Sequence, residues 1–288
     1  MEIIERIYLP ERKANAHKGD NGKGLIIAGS AAMPGAATKC AYASVKSGIG
    51  LLKVATVKEA QRVISAHVLE AMYQYLPSDD EGFIADISKT NLNDCNLIAL
   101  GCGLGRKNHD YLTPLLNLDK PIIIDADGLF HLSQNMEWLE KRASKTVVLT
   151  PHEMEMARLL NSSVEEVAQN RQKISLEFAK KHQVYLVLKG PQTIITTPEG
   201  RQWLNQTGNQ TLAKGGSGDM LTGMILGLMA QNANMQEMLK TAVYLHGMTA
   251  DLYLKIFGQT YSASITELIQ LIPSAISQSL ESKIAGII

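Results

Sequence analysis

The chain lacks the features that would commit it to a membrane, a secretory route or a nucleic acid. No apolar run reaches the roughly 18 residues needed to cross a bilayer. Met1 to Asp20 is charged and broken by Pro10, so no secretory leader is expected there. Neither sign of charge is in excess: Lys plus Arg and Asp plus Glu both number 28, with no basic cluster. That argues against a nucleic-acid or anionic-membrane partner, either of which needs a basic footprint. Cysteine is scarce. Cys40, Cys95 and Cys102 are odd in number and form no CxxC pair, as expected of reduced thiols in a cytoplasmic protein. His17, His67, His109, His131, His182 and His246 have no metal-ligand spacing, so no protein metal site is expected. No linker rich in Gly, Pro or Ser divides the chain and no repeat recurs, so one domain over residues 1–288 is expected.

What is present is an apolar core and a βα rhythm. Hydrophobic residues make up 45% of the 288 and charged ones 19%, which suits one large α/β domain. Continuous apolar runs at 24–28, 51–55, 97–100, 121–124, 146–149 and 185–188 read as strands buried on both faces. Helical stretches are expected between them, at 36–47, 58–67, 111–116, 153–160 and 164–181. This alternation predicts a mainly parallel sheet between helical layers. Segments 193–197 and 202–205 flank Pro198-Glu199-Gly200 and predict an antiparallel hairpin near a sheet edge. Helices over 218–231, 235–256 and 265–280 are expected to follow.

Several strand ends carry chemistry. Lys214-Gly215-Gly216-Ser217-Gly218-Asp219 opens an amphipathic helix. Glycines let a ligand approach the main chain, and a helix start offers unpaired N–H donors with partial positive charge. Gly215, Gly216, Ser217 and Gly218 thus suit a phosphate, with Asp219 as a general base or a helix cap. Gly101-Cys102-Gly103-Leu104-Gly105-Arg106 follows a strand but fails the dinucleotide fingerprint, because Arg106 stands where glycine is wanted. Gly19-Asp20-Asn21-Gly22-Lys23-Gly24 fails as a P-loop: no Ser or Thr follows Lys23, and the segment precedes its strand. Asp125-Ala126-Asp127 either holds Mg²⁺ through water or caps a helix. In Thr150-Pro151-His152-Glu153, His152 either stands at a ligand site or is a solvent-facing helix start. Lys189-Gly190-Pro191-Gln192-Thr193 either pairs with phosphate or makes a turn.

In order and spacing these motifs resemble those of the ADP- or ATP-dependent NAD(P)H-hydrate dehydratases of the ribokinase-like superfamily. His17-Lys18-Gly19-Asp20, Gly29-Ser30, Met33-Pro34-Gly35-Ala36-Ala37, Asp125-Ala126-Asp127, Thr150-Pro151-His152 with Glu155, Lys189-Gly190 and Gly215 to Asp219 carry the likeness. The resemblance implies a ribokinase-like three-layer α/β/α fold with an antiparallel edge hairpin. It implies that hydrated NADH or NADPH is phosphorylated on its ring hydroxyl, loses phosphate and returns as the intact dinucleotide. Asp219 would be the catalytic base. Backbone N–H groups of Gly216 to Gly218 would hold the phosphoryl group. Lys189, Gly190, Pro191, Gln192, Thr193 and Gly218 would bind the donor nucleotide, ADP in preference to ATP, with Mg²⁺ bridging its phosphates. Ala37, Gly103, His152 and Asp219 would face the hydrated dinucleotide. A homo-oligomer, a tetramer by the same likeness, is expected. Glu153-Met154, Gln210-Thr211 and Lys214 depart from the family pattern, and Lys214 is expected to add a charge beside the phosphate. The rival expectations are a hydroxyethylthiazole- or sugar-type kinase of the same fold and a non-catalytic nucleotide sensor.

Overall fold

The apolar runs become the strands of one twisted sheet. The computed structural model describes residues 1–231 and 234–285, the last four by backbone alone. Among these lie β1 (Glu2–Ile3), β2 (Lys23–Ile27), β3 (Leu51–Thr56), β4 (Met72–Tyr75), β5 (Leu97–Leu100), β6 (Ile122–Ile124), β7 (Val147–Leu149), β8 (Tyr185–Leu188), β9 (Ile194–Thr196) and β10 (Gln202–Leu204). They pair in the order β1-β10-β9-β8-β7-β6-β5-β2-β3-β4. From β8 to β4 every pairing is parallel; β9 runs antiparallel to both β8 and β10. The strand order reverses between β2 and β5, and a crevice at the carboxyl ends there is where open α/β sheets bind ligands.

The helices are α1 (Pro34–Lys46), α2 (Lys58–His67), α3 (Asp127–Gln134), α4 (Trp138–Lys141), α5 (Glu153–Leu160), α6 (Val164–Gln169), α7 (Arg171–His182), α8 (Ser217–Met229), α9 (Met235–Phe257), α10 (Ile265–Gln270) and α11 (Ile272–Ala285). α1, α2 and α8 to α11 pack together as one layer, and α3, α5, α6 and α7 as the other. Strands β5, β6 and β7 are buried at every residue, as a sheet covered on both faces requires. Among the described residues no helix is long and apolar enough to cross a membrane.

The contact that positions the site is α1 against α8. From Met220 to Met229 every residue of α8 is buried. A Cβ at Gly223 would stand 2.1 Å from the Cys40 carbonyl oxygen, and one at Gly227 2.6 Å from that of Ser44. The two backbones therefore nearly touch, and Ser44 Oγ donates to the Cys40 oxygen (2.8 Å) and the Gly223 oxygen (3.0 Å). This seam holds the amino end of α8 against the start of α1.

Several expectations are corrected. Residues 111–116 form only a 3-10 turn, Thr113–Leu115, whose second residue is Pro114. The helix expected over 164–181 breaks at Asn170, and that over 265–280 breaks at Leu271. β1, β4, α3 and α4 were not anticipated. The antiparallel hairpin β9–β10 does lie near a sheet edge as expected, with only the two-residue β1 beyond it.

Candidate active site

The glycine turn starts α8. Gly216 is the residue before the helix, at φ +98°, a conformation glycine adopts without a Cβ penalty. Gly215 is exposed, with nothing within 4 Å of where a Cβ would sit. Ser217 gives its N–H to the Lys214 carbonyl (3.2 Å). Among the described residues the N–H groups of Gly216, Gly218 and Asp219 have no acceptor, which leaves an anion-binding end. Asp219 stands in the first turn of α8. Burial, and then the nearby Asp125 carboxylate, push its pKa up to about 6, against the pull of Cys102, Lys39 and Lys189. Such a carboxyl is poised to take a proton near neutral pH.

Behind it lies a buried ion pair. Asp125, 1% exposed, receives a hydrogen bond from Lys189 Nζ (2.7 Å) and one from Thr222 Oγ1 of α8 (2.7 Å). Glu155 Oε2 is 3.6 Å from the same ammonium. Burial opposes both charges, but the pairing outweighs it: Asp125 is held below the usual carboxylate range and Lys189 is raised. Asp125 thus commits its carboxylate to Lys189 and Thr222 and does not cap α3. Asp127 accepts from Gly105 N–H (2.9 Å) and Arg106 Nε (3.2 Å). Between them Ala126 sits at φ +50°, a strained position for a residue with a Cβ, and so turns the two acids apart.

The other expected residues occupy the rim. Gly190, Pro191 and Gln192 are exposed, and Arg171 of α7 braces their loop by donating to the carbonyls of Pro191 (2.6 Å) and Leu188 (3.2 Å). Thr193 Oγ1 closes it onto the Gly190 carbonyl (3.2 Å). His152 is exposed and caps α5: its Nδ1 accepts from Met154 N–H (3.1 Å) and Glu155 N–H (3.3 Å), which leaves the ring proton on Nε2. Gly103 lies in the crevice between β2 and β5, where an added Cβ would stand 3.0 Å from Ala36 Cβ. Ala37 is sealed at 0% exposure, so it floors the crevice.

Three neighbours of Asp219 and its loop were not singled out as functional from sequence. Cys102, at the end of β5, lies beside Asp219 and lowers its pKa. A hydrogen bond with Cys40, then burial, push the Cys102 thiol well up, so it stays protonated. Lys39 of α1 lies along Gly216, whose Cβ would meet its Cδ at 2.4 Å. His246, in the middle of α9, places Nε2 3.1 Å from the Ser217 carbonyl and 3.2 Å from Ser217 Oγ. Burial draws its pKa down to about 4, so at neutral pH a neutral ring donates to Ser217. Cys102 sits in the glycine-rich segment after β5, whereas no local motif marks Lys39 or His246; the α1–α8 and α8–α9 contacts bring those two in. Lys214, by contrast, does not charge the phosphate end. Its ammonium donates to the carbonyls of Tyr261 (2.6 Å) and Ala263.

Known proteins resemble this chain in sequence and fold. The family model described as NAD(P)H-hydrate dehydratase matches residues 24–274. The ADP-dependent (S)-NAD(P)H-hydrate dehydratase of Bacillus subtilis is 37% identical over 86% of this chain and 87% of that protein. The bifunctional NAD(P)H-hydrate repair enzyme Nnr of Thermofilum pendens is 35% identical over 96% of this chain, and the chain spans about half of that relative, 54%. A crystal structure of the ADP/ATP-dependent NAD(P)H-hydrate dehydratase of B. subtilis, co-crystallised with ATP/Mg²⁺, matches with a TM-score of 0.79 at 34% identity and covers 94% of each chain.

Proposed function

Since the chain belongs to the NAD(P)H-hydrate dehydratase family, we propose that it restores hydrated NADH and NADPH at the expense of ADP, or of ATP. The observation that carries this is Asp219. A carboxylate with a raised pKa stands in the first turn of a helix whose N–H groups lack acceptors, beside the β2–β5 crevice. Hydroxide is a poor leaving group from the nicotinamide ring, and phosphate is a good one. Asp219 takes the proton of the ring hydroxyl as its oxygen attacks the donor's terminal phosphorus. The new O–P bond forms as the phosphoanhydride bond breaks, releasing AMP from ADP. The ring nitrogen then expels phosphate with its lone pair, the C–O bond breaks, and loss of a ring proton restores the dihydronicotinamide. The N–H groups of Gly216, Gly218 and Asp219 stabilise the charge on the phosphoryl group in transit.

The loop from Lys189 to Thr193, with Gly218, holds the donor, and Gly103 and His152 face the hydrated ring above Ala37. Among the described residues no three His, Cys, Asp or Glu side chains converge on a cation, which fits an ion carried by the nucleotide's own phosphates. Mg²⁺ so carried would neutralise phosphate charge near Asp219. The chain acts as one ribokinase-like catalytic unit over 1–288, in the cytoplasm, as a homo-oligomer.

The test is incubation with hydrated NADH and Mg-ADP or Mg-ATP while following dihydronicotinamide absorbance. Recovery of NADH with stoichiometric phosphate is expected, faster with ADP. A phosphorylated alcohol that accumulates without NADH would identify a kinase instead. Nucleotide binding without any turnover would identify a sensor.

A further inference from the structure

Three lysines reach the amino end of α8, and two are already committed. Lys189 is paired with Asp125 and Glu155, and Lys214 is given to the carbonyls of Tyr261 and Ala263. The third is Lys39. Its methylenes lie so close to Gly216 that an alanine Cβ there would stand 2.4 Å from Cδ, 2.6 Å from Cε and 3.1 Å from Nζ. Among the described residues its half-buried ammonium has one acceptor, the Gly35 carbonyl at 3.3 Å, and no carboxylate within salt-bridge reach. In a helix that carbonyl already serves the Lys39 N–H four residues on, so the bond is shared and long. A cation with one weak acceptor beside a helix end of free N–H groups is disposed toward an anion. A cavity of about 360 Å³, lined by Gly35, Thr38, Lys39, Tyr42 and His67 among others, adjoins the side chain.

We propose that Lys39 is a phosphate-contacting residue, its ammonium crossing Gly216 to grip the phosphoryl group as it leaves the donor and again as it leaves the ring carbon. This rests on the dehydratase reading for its substrate, but its anion chemistry does not. The same cation tunes Asp219, which is faced by Lys39 from α1, Cys102 from the end of β5, Asp125 from the end of β6 and Lys189 from the end of β8. His246 of α9 faces Ser217 from behind and stays neutral.

Lys39→Met keeps the length of the side chain over Gly216 and removes the charge. Calorimetric titration with Mg-ADP is expected to show affinity weakened at least about tenfold, the loss of one charge-assisted contact. kcat should fall as well, and the acid limb of its pH profile should move upward, because Asp219 loses a stabilising cation. Lys39→Arg should recover most of the affinity. Lys39→Gln replaces the methionine variant if that does not fold, as judged by thermal melting. Affinity within twofold of the parent, with an unmoved pH limb, overturns the proposal. If the parent binds Mg-ADP yet never restores NADH, the dehydratase reading fails, and weaker binding by the variant still upholds Lys39.

Discussion

Asp219 stands at a conflict between stability and chemistry. Its folded pKa of about 6 lies above the ordinary 3.8, so the folded state holds the proton more tightly than the unfolded one. The stability this group contributes is full below its ordinary pKa and is lost as pH rises through about 6, the range in which the base becomes active. Turnover should therefore climb as pH passes 6, while Asp219→Asn should melt at a higher temperature than the parent above pH 6. The same variant should lose about 10²–10⁴ in kcat and keep its affinity for Mg-ADP, measured by calorimetry. Lys189 poses the opposite case. Lys189→Met would leave the Asp125 carboxylate buried without its partner, at a cost of about 3–5 kcal/mol in urea unfolding. An unchanged unfolding midpoint would mean that the pair is not a coupled buried ion pair.

The elements matter through where their ends fall. α8 presents its amino end because its middle is clamped to α1, and the clamp depends on a missing side chain. Gly223→Ala would drive a methyl group into the Cys40 carbonyl, so about 1–3 kcal/mol of destabilisation is expected by denaturant melts, with a fall in kcat as the helix end shifts. Gly218→Val acts locally: its Cβ would lie 3.2 Å from Lys189 Nζ, in the space proposed for donor phosphate, so Mg-ADP binding should weaken with little loss of stability. The phosphate helix was legible because a run of glycine and one aspartate before an apolar stretch has few other uses. β4 was not, because its residues are exposed or only half-buried and show no apolar run. The break at Asn170 was hidden too, since α6 and α7 are both helical on either side of a one-residue interruption.

For the molecule as a whole, the sheet brings distant segments into one crevice. Residues near positions 39, 103, 125, 152 and 189 come to one end because β2 and β5 to β8 run parallel and deliver their following segments there, and the packing of α8 on α1 and of α9 on α8 adds 219 and 246. A ligand bound only by the folded chain should stabilise all of it. Mg-ADP at about 100 times its Kd should add about 2.7 kcal/mol, raising the thermal midpoint by a few degrees. Asp219→Asn should keep that rise. If no shift occurs at saturating nucleotide, the donor site is misplaced.

Chain chemistry alone specified the alternation of strand and helix, the glycine-lined anion end and the single carboxylate beside it, because backbone conformation and helix polarity are local properties. Which lysine is committed, which histidine stays neutral and which alanine is sealed were settled by packing. Lys39, Lys189 and Lys214 are the same residue chemically. One has a buried carboxylate, one a pair of carbonyls and one a single shared acceptor, and those partners lie on other elements that only folding brings within reach.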